Sequence, residues 1–462
     1  MNPERVIRDM PAHGAFRIIA RAAHTISRKN IAPGALRVLY RLHEAGYQAF
    51  LVGGAVRDLL LGGHPKDFDV ATDATPEQVR ALFRNCRLIG RRFRLAHVVF
   101  GREIVEVATF RGGSDDGSGD RHLVDGRLVR DNVYGSIEED AVRRDFTVNA
   151  LYYDIADFSV RDAVGGMDDL QHRVLRLIGD PQQRYREDPV RMLRAARLAA
   201  KLDFTIAPET AAPFATLGPL LAEAPPARLF DESLKLFLGG HGLASLRSLE
   251  RHDLLIHVFP ATARALRQHP DTPFRALLEQ SLASTDARVH EDKSVTPAFL
   301  FAAMLWGPMR LTEQSLIDGG SDPSAAWRHA VDRVLREQAQ RVAVPRRFAV
   351  MVEEIWSLQP RFAQNAKKSV FRLLEHPHFR AAYDFLMLRV AESPGLAELA
   401  AWWTQAQQLD RVMLTESLAA LPVLPVAPTL PGEPPPQLKR LRRRRRKRGA
   451  GKTAAPPKGA GE

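Results

Sequence analysis

The segment LVGGAVRDLLLGGHPKDFDVAT occupies residues 51–72. A short apolar run ends at the paired glycines Gly53 and Gly54, and the pattern predicts a helix directly behind them, over residues 55–62. Glycines at this place let the backbone approach a phosphate closely and offer it N–H groups beside a helix start. Arg57, one turn into the helix, would add a fork of donors to the same phosphates. The first half of the segment therefore predicts a phosphate-binding turn.

Two aspartates follow in the spacing D-x-D, as Asp67 and Asp69. Residues i and i+2 of a strand point to the same side, so a strand over 67–72 would bring both carboxylates together and turn Phe68 into the core. The two charges would repel each other unless a cation lay between them, and Mg²⁺ prefers such oxygen ligands together with substrate phosphates. A glycine pair or a D-x-D motif alone is usually a turn or a solvated edge. Their order and close spacing predict one site for a magnesium–nucleoside triphosphate.

Composition limits the class of protein. The chain has 462 residues, 45% of them apolar and 26% charged, which is typical of a globular protein of two or three domains. It shows neither a signal peptide nor an apolar run long enough to span a membrane. Cys86 is the single cysteine, so an internal disulfide and a cysteine-rich metal site are both excluded. We expect a cytoplasmic protein without membrane contact.

The net charge of +12 is concentrated at the C-terminus. From Leu421 onward there are eleven Lys or Arg and two Glu, so this part carries 11 − 2 = +9 and the rest of the chain 12 − 9 = +3. The run KRLRRRRRKR at 439–448 holds nine basic residues in ten. Such runs are typically disordered and bind phosphate backbones without regard to sequence, although a purely solubilising tail remains the alternative.

The order of predicted elements indicates an α+β fold. Strands and helices are mixed up to about residue 178, the chain is almost wholly helical from Pro181 to about 420, and the remainder is rich in Pro, Gly and Arg. The predicted boundary signals are a helix end at Gly46, strands over 47–52 and 67–72, a capping box from Thr75 to Gln78, two strands around a Gly101 turn, a flexible loop over 112–120, a helix over 136–146 capped by Ser136 and Glu139, and a strand from Thr147 to Ile155.

Three motifs together carry a family resemblance. They are LVGGAVRDLLLG…KDFDVAT, RRDFTVNALYYD at 143–154 and EDPVRMLRAARLAAKLDF at 187–204. This set resembles the class II template-independent nucleotidyltransferases, which comprise the bacterial poly(A) polymerases and the tRNA CCA-adding enzymes. The likeness extends over about 31–235, and LIGRRFRLAHV at 88–98 resembles the element of the poly(A) polymerase branch.

The resemblance implies a domain plan. A nucleotidyltransferase head with a small mixed sheet and flanking helices would occupy 31–178, behind an N-terminal extension over 1–30. A helical neck over 179–240 would recognise the nucleotide base and bind RNA. A helical, RNA-binding body would follow over 241–420. A disordered Arg-rich tail would end the chain over 421–462.

The resemblance also implies the reaction and the acidic residues that serve it. An RNA 3′-OH would attack the α-phosphate of ATP and release pyrophosphate, with two Mg²⁺ ions, or Mn²⁺, held by Asp67 and Asp69. Asp145 resembles the third catalytic carboxylate and Arg144 a nucleotide contact. From the residues alone, Asp145 could instead be an ion-pair partner of a neighbouring arginine, and Glu106 on a strand is an alternative third carboxylate.

Base choice would fall to the neck. Asp188, Arg191 and Arg194 are spaced three apart, which on one helix places them on adjoining positions. Asp188 can accept from adenine N6 and Arg191 can donate to N1, a pattern that suits A and C and excludes G and U. The resemblance implies this role for the pair, with Arg194 and Arg197 nearby on phosphate or base. An ordinary surface ion pair is the alternative, and the sequence does not separate A from C.

RNA contacts are expected at two basic segments. These are the element 88–98, with Arg91, Arg92 and Arg94, and the tail, with Arg442, Arg443, Arg444, Arg445, Arg446, Lys447 and Arg448. The expected partners are RNA 3′ ends and ATP, with RNA-decay or RNA-chaperone proteins as further candidates, and a monomer is expected. Two other functions stay open: a CCA-adding enzyme, and an RNA-binding scaffold without catalytic activity.

Overall fold

A computed structural model describes residues 16–90, 94–112, 121–124, 127–131, 133–269, 272–364, 366–420 and 422. The chain divides into two units, 1–422 and 423–462, and the second lies outside the described residues. The predicted disordered tail therefore lies outside them as well. Within the first unit the predicted boundaries at 178 and 240 remain predictions.

Strands dominate the first part of the chain. They are β1 (Arg17–Ile19), β2 (Ala49–Val52), β3 (Asp69–Thr72), β4 (Cys86–Ile89), β5 (Leu95–Phe100), β6 (Glu103–Thr109), β7 (Arg121–Val124), β8 (Arg127–Asp131), β9 (Leu151–Asp154), β10 (Val160–Asp162), β11 (Val174–Leu175) and β12 (Thr205–Ile206). Eight of them form one mixed sheet in the order β1-β10-β9-β2-β3-β6-β5-β4, while β7–β8 and β11–β12 form two separate pairs. The predicted mixed sheet is confirmed.

Helices make up nearly all of the rest. They are α1 (Pro33–Glu44), α2 (Gly54–Leu60), α3 (Pro76–Leu82), α4 (Ile137–Arg143), α5 (Gly166–Gln171), α6 (Pro181–Glu187), α7 (Val190–Leu202), α8 (Pro208–Ala211), α9 (Phe214–Leu217), α10 (Pro226–Phe237), α11 (Gly242–Arg251), α12 (Leu255–Val258), α13 (Pro260–Gln268), α14 (Pro273–His290), α15 (Pro297–Asp318), α16 (Pro323–Arg341), α17 (Arg346–Leu358), α18 (Lys367–Leu374), α19 (Phe379–Glu392), α20 (Ala397–Ala406) and α21 (Arg411–Ser417). Short 3₁₀ turns lie at Arg21–Ala23, Arg28–Asn30, Thr147–Asn149, Gly218–Glu223, Gln359–Ala363, Pro394–Leu396 and Leu418–Ala420. The described helices include none that is long and apolar enough to cross a membrane.

One strand pairing positions the acidic residues of the head. β3 and β6 run parallel and place Asp69 opposite Glu106, whereas β2 runs antiparallel to β3 on the other side. β2 is buried along its whole length and ends at Val52, so the chain must turn sharply at Gly53 before α2 begins. The glycine turn follows the last residue of β2, and the D-x-D segment ends at the first residue of β3. The two therefore meet at the same end of these neighbouring strands.

Several predicted boundaries are confirmed. The helix α1 is followed by Gly46 at φ +87°, and Gly101 turns between β5 and β6 at φ +61°. Both predicted capping boxes form, at the start of α3 (Thr75 with Gln78) and of α4 (Ser136 with Glu139). These signals depend on contacts within a few residues, which is why the sequence reveals them.

Other boundaries were wrong. The strand starts at Asp69 rather than 67, α4 ends at Arg143 rather than 146, and a 3₁₀ turn at Thr147–Asn149 precedes β9. The predicted extension over 1–30 is not separate from the head, because β1 pairs with β10 at the sheet edge. Nothing in the local sequence specifies that long-range pairing. Most of the predicted loop over 112–120 lies outside the described residues.

The longest helix of the body carries a glycine that packing requires. Gly307 of α15 faces the buried ring of Phe274 on α14, and a Cβ built there would lie 2.3 Å from Phe274 Cγ. No substituted side chain fits at that distance without moving the ring. The close crossing of α14 and α15 therefore depends on the missing side chain.

We expect Gly307→Ala to lower the melting temperature by a few degrees, because overpacking a filled core costs about 1–3 kcal/mol. Gly395 is the matched control, since a Cβ there meets nothing within 4 Å. Thermal unfolding followed by circular dichroism checks the difference. Equal melting temperatures of the two variants would contradict the packing argument.

Candidate active site

A cavity of about 370 Å³ lies where the head meets α7 and α10. Residues at the ends of the central strands form one side of the cavity, and polar side chains of α7 and α10 form the other. Its lining residues are Val52, Gly53, Gly54, Asp69, Val70, Leu95, Glu106, Ala108, Arg111, Asp140, Arg143, Arg144, Asp145, Asn149, Asp188, Arg191, Arg194 and Arg228. The structure thus brings together most of the predicted site residues, which lie far apart in the sequence.

The glycine turn forms one wall. Gly53 has φ +76° and ψ −140°, a conformation that other residues essentially do not adopt. A Cβ at Gly53 would lie 3.7 Å from Asp69 Oδ2 and 3.8 Å from Arg144 Nη1. The backbone therefore passes directly beside one anionic and one cationic group, and phosphate binding by this turn stays a prediction.

The acidic wall consists of Asp69 and Glu106. Desolvation by the pocket, followed by repulsion from Glu106, raises the pKa of Asp69 to about 6, although Arg144 opposes the change. Glu106 also contacts His97, with 3.3 Å between Oε2 and Nε2. Asp67 is exposed, as Asp69 also is; it repels Asp69 more weakly and does not line the cavity. The wall carries more negative charge than its surroundings neutralise.

Arg57 does not fulfil its predicted role. Its side chain is almost fully buried, donates to Asn149 at 2.5 Å and pairs with Asp58 at 2.6 Å, and it is absent from the cavity wall. The predicted phosphate contact was based on one turn of helical spacing. Because α2 begins at Gly54, the side chain points into the head and ties α2 to the turn before β9 instead.

Arg144 lines the cavity as predicted, within a buried network. Its guanidinium donates to Tyr152 Oη at 2.8 Å and to Asp140 Oδ2 at 2.9 Å, and Tyr152 donates to the same carboxylate at 2.6 Å. Burial opposes ionisation of Asp140, but Arg144 and these hydrogen bonds outweigh it and lower its pKa. The charge of Arg144 is therefore held in a fixed orientation beside Gly53.

The carboxylate of Asp145 forms ion pairs with two arginines of α7. It accepts from Arg191 Nε at 2.9 Å through one oxygen and pairs with Arg194 Nη1 at 2.5 Å through the other. Burial disfavours its charge, yet Arg194 and Arg191 lower its pKa. The structure thus favours the ion-pair interpretation of Asp145, with arginines of α7 as partners rather than the adjacent Arg144.

The predicted arrangement of the base-reading pair was wrong in one respect. Asp188 is not on the same helix as Arg191, because it lies in extended backbone between α6 and α7. Its two oxygens accept from Arg228 at 2.8 and 2.6 Å. The proposed acceptor for adenine N6 is therefore already bound by a neighbouring guanidinium.

Sequence reasoning missed Arg228, which lies in the part of the chain predicted to be almost wholly helical. Arg228 stands in the first turn of α10, where the helix dipole disfavours a cation. An arginine at such a position needs a specific anionic partner, and that was the available signal. The partner, Asp188, could not be identified without the fold.

Arg191 keeps one part of its guanidinium free for a ligand. Nε donates to Asp145, and Nη1 donates to the Arg184 carbonyl at 2.7 Å and to Glu187 at 3.0 Å. These bonds use three of its five N–H donors. Among the described residues nothing accepts from Nη2, so its two hydrogens remain available to the cavity.

Three further predictions concern arginines outside the cavity wall. Arg197 pairs with the buried Glu232 of α10 at 2.5 Å, so the structure does not support its predicted nucleotide contact. Arg94 pairs with Glu77 at 2.6 Å. Arg91 and Arg92, and the tail residues 442–448, lie outside the described residues and stay predictions.

Models of known families match three separate segments of the chain. The model of the Poly A polymerase head domain matches residues 49–176. The model described as "Probable RNA and SrmB- binding site of polymerase A" matches 203–266, and that of the polymerase A arginine-rich C-terminus matches 319–449.

Curated relatives extend the likeness over most of the chain. Poly(A) polymerase I of Escherichia coli O6:H1 is 54% identical over 84% of this chain and 85% of its own length. Poly(A) polymerase I of Haemophilus influenzae is 46% identical over 84% and 88%. The CCA-adding enzyme of Bacillus subtilis is 40% identical, but over only 46% of this chain and 52% of its own.

Solved structures share the fold. The CCA-adding enzyme of Bacillus stearothermophilus in complex with CTP superposes with a TM-score of 0.54 at 26% identity, over 84% of this chain and 82% of that one. The Thermotoga maritima CCA-adding enzyme complexed with tRNA has a TM-score of 0.56 at 19% identity, over 85% and 86%. The latter likeness concerns the fold alone.

We expect Asp69→Asn to stabilise the metal-free protein at alkaline pH. A carboxyl that titrates near 4 when unfolded and near 6 when folded binds its proton more tightly in the folded state, so wild-type stability falls as the pH rises through that interval. Asparagine does not ionise, so the variant does not lose stability over this pH interval. In EDTA, the variant should melt above the wild type at pH 8 and together with it near pH 4.

Asp332→Asn on α16 is the control, because that carboxylate is 65% exposed. It should change the melting temperature little at either pH. If Asp69→Asn and the wild type melted together at pH 8, the repulsion assigned to the acidic wall would be absent.

Proposed function

The chain belongs to the poly(A) polymerase I family, and on that basis we propose that it transfers AMP from ATP to RNA 3′ ends without a template. The observation that carries this proposal is the 54% identity that extends over 85% of the Escherichia coli relative. The reaction would serve RNA 3′ polyadenylation and decay. The cavity at the junction of head and neck is the place where we expect the nucleotide to bind.

Two other functions have less support. CCA-adding relatives match about half of the chain, whereas the poly(A) polymerase I relatives match 84% of it. An RNA-binding scaffold without catalysis would have no need for the acidic wall, whose mutual repulsion is unfavourable without a ligand. Both observations favour the polymerase.

A divalent metal fits the acidic wall. Within the described ranges no three His, Cys, Asp or Glu side chains are grouped closely enough to hold a metal ion alone. The pair Asp69 and Glu106, with Asp67 nearby, nevertheless has uncompensated charge, and Mg²⁺ commonly takes one or two carboxylates and completes its shell with substrate phosphates. When bound, the metal would activate the RNA 3′-OH and neutralise the charge on the departing pyrophosphate.

We assign the third carboxylate to Glu106 rather than to Asp145. Glu106 lies opposite Asp69 in the parallel pairing of β3 and β6. Both oxygens of Asp145 are already bound to Arg191 and Arg194, so it acts through the positions of these arginines. Asp145 is therefore a positioning residue in this proposal.

The chain's own residues would orient the triphosphate. The backbone at Gly53 and Gly54 would contact the phosphates, and Arg144, fixed by Asp140 and Tyr152, would neutralise part of their charge. The RNA oxygen then forms a bond to the α-phosphorus while the bond to the leaving pyrophosphate breaks. Correct placement of these two groups supplies most of the rate enhancement.

Base choice would rest on Arg191 inside a rigid pocket. The free Nη2 of Arg191 can donate to the acceptor on the adenine pairing edge. Asp188 is held by Arg228, which fixes the shape of the pocket, and a carboxylate has enough lone pairs to accept from N6 as well. A and C present the same donor–acceptor pattern, and we infer that this fixed shape separates them by size.

RNA would extend from the cavity along the helical part of the chain. The match at 203–266, whose description names a probable RNA-binding site, supports RNA binding there. The basic run at 439–448, which lies within the match to the arginine-rich C-terminus, would add contacts to the RNA backbone. Each phosphate contact should steepen the dependence of affinity on salt by about 0.7 on a single strand. We propose a cytoplasmic location, as expected for an enzyme that acts on cellular RNA.

The proposed reaction is tested with a labelled generic RNA and each nucleoside triphosphate separately. The wild type should build long tracts with ATP alone, and Asp67→Ala with Asp69→Ala should lower transfer at least about 100-fold while RNA binding is kept. Transfer that survives in the double variant would contradict the metal assignment. A stop after three nucleotides on tRNA with CTP and ATP would instead favour a CCA-adding enzyme.

We expect Arg228→Ala to relax the choice between ATP and CTP. Without the two hydrogen bonds from Arg228, the Asp188 side chain can move. The ratio of ATP to CTP incorporation should then fall roughly 5- to 10-fold, which is the effect of one or two misplaced hydrogen bonds. Lys235→Ala, at the far end of α10, is the control and should leave the ratio unchanged. An unchanged ratio in Arg228→Ala would show that the pairing of Arg228 with Asp188 does not shape the pocket.

A further inference from the structure

A column of stacked groups runs from the core to the surface between α10, α15 and α17. Phe301 is fully buried, and Phe230 stacks on it with ring centroids 5.9 Å apart and planes 8° from parallel. Phe348 stacks on Phe230 at 6.2 Å and 22°. The guanidinium carbon of Arg347 lies 4.8 Å from the Phe348 ring centroid, and this last group is exposed. Exposure thus increases from Phe301 to Arg347.

The arginines at the end of this column carry uncompensated charge. Arg346 and Arg347 are both exposed, and the described part of the chain provides neither of them with an ion pair or a hydrogen bond. Arg191, Arg194 and Arg228 in the cavity, by contrast, are all paired with carboxylates. If the column served packing alone, its outermost member would not need to be a planar cation without an anionic partner.

The column lies next to the nucleotide cavity but not inside it. Phe230 is two residues from Arg228 on α10, so the two side chains leave the helix on different sides. The N–H of Ala343 donates to the Pro226 carbonyl at 3.1 Å and attaches the start of α17 to the start of α10. Met351, one turn beyond Arg347 on the same face of α17, lines a second cavity of about 540 Å³. Arg347 itself is not among the residues that line this cavity, and it is exposed to solvent.

We propose that Arg347, supported by Phe348 and Phe230, is a stacking platform for a base of the RNA primer upstream of its 3′ terminus, and that Arg346 contacts the adjoining phosphate. This inference rests on the proposed function, because it concerns the same RNA. A base has two flat faces, and single-stranded RNA is bound by stacking on aromatic rings and guanidinium planes together with cationic contacts to its backbone. The exposed face of Arg347 and the unpaired Arg346 provide both.

Such a platform would hold the primer without selecting its sequence. Every base has a π-face, so stacking tolerates any nucleotide. The nucleotide cavity, by contrast, selects the incoming base through hydrogen bonds. This division would let the enzyme extend unrelated RNA ends and still add one kind of nucleotide.

The test is fluorescence anisotropy with the full chain and 5′-labelled oligo(A), without ATP or metal. A single abasic residue is moved through each position from the 3′ end. In the wild type, one upstream position should weaken binding about 5-fold or more when it lacks its base. In Arg347→Ala, intact oligo(A) should bind more weakly by the same factor, and the sensitivity at that position should disappear.

Two further variants separate stacking from charge. Arg347→Lys keeps the charge but loses the plane, and should behave like Arg347→Ala. Arg336→Ala removes an exposed arginine of α16 that is paired with Asp332, and should keep the wild-type abasic profile. Wild-type affinity in Arg347→Lys, or an unchanged abasic profile in Arg347→Ala, would overturn the proposal.

Melting temperatures of all variants are measured in parallel, because loss of a merely structural contact would lower stability and leave the abasic profile in place. That outcome would also overturn the platform. Extension of intact RNA with ATP by the wild type reports separately on the proposed function. Failure of extension would refute the polymerase, whereas normal extension with an unchanged profile would refute only the platform.

Discussion

The bonds from Asp145 to Arg191 and Arg194 join the sheet-containing part of the chain to the helices that follow it, at the wall of the cavity. Asp145 belongs to the segment after α4, and the two arginines project from α7. Arg184 of α6 reinforces the junction by donating to the backbone carbonyls of Arg143 and Arg144 at 2.7 and 2.9 Å. A buried charge that loses its partner is strongly unfavourable, so these bonds make the two parts of the cavity wall one rigid structure.

The two sides of the cavity differ in how well their charges are neutralised. Asp145 and Asp188 are each bound by arginines of α7 or α10, and Asp140 is bound by Arg144. Asp69 and Glu106 lie opposite each other, and desolvation followed by repulsion from Glu106 raises the pKa of Asp69 to about 6, although Arg144 opposes the change. The carboxylates that are paired with arginines fix the shape of the cavity. A cationic ligand would gain binding energy at Asp69 and Glu106, because it would relieve their repulsion. Local instability of this kind is expected at functional sites.

The helix α10 connects this cavity to the body. Through Arg228 it fixes Asp188, through Glu232 it binds Arg197 of α7, and through Phe230 it joins the aromatic column that ends at Arg347. One helix therefore relates the nucleotide pocket to the surface on which we place the upstream RNA. Base choice and primer holding would then depend on the same rigid element.

The sequence alone determined what local contacts specify. It determined the glycine turn at Gly53, the capping boxes at Thr75 and Ser136, and the mixed sheet followed by helices. Only the tertiary structure decided the distant partners of the charged side chains: Arg57 donates to Asn149, Arg197 pairs with Glu232, Asp188 with Arg228, and Asp145 with two arginines of α7. Turns and caps depend on residues a few positions apart, whereas an ion pair depends on which distant segments the fold brings within about 4 Å, and many arginines compete for each carboxylate.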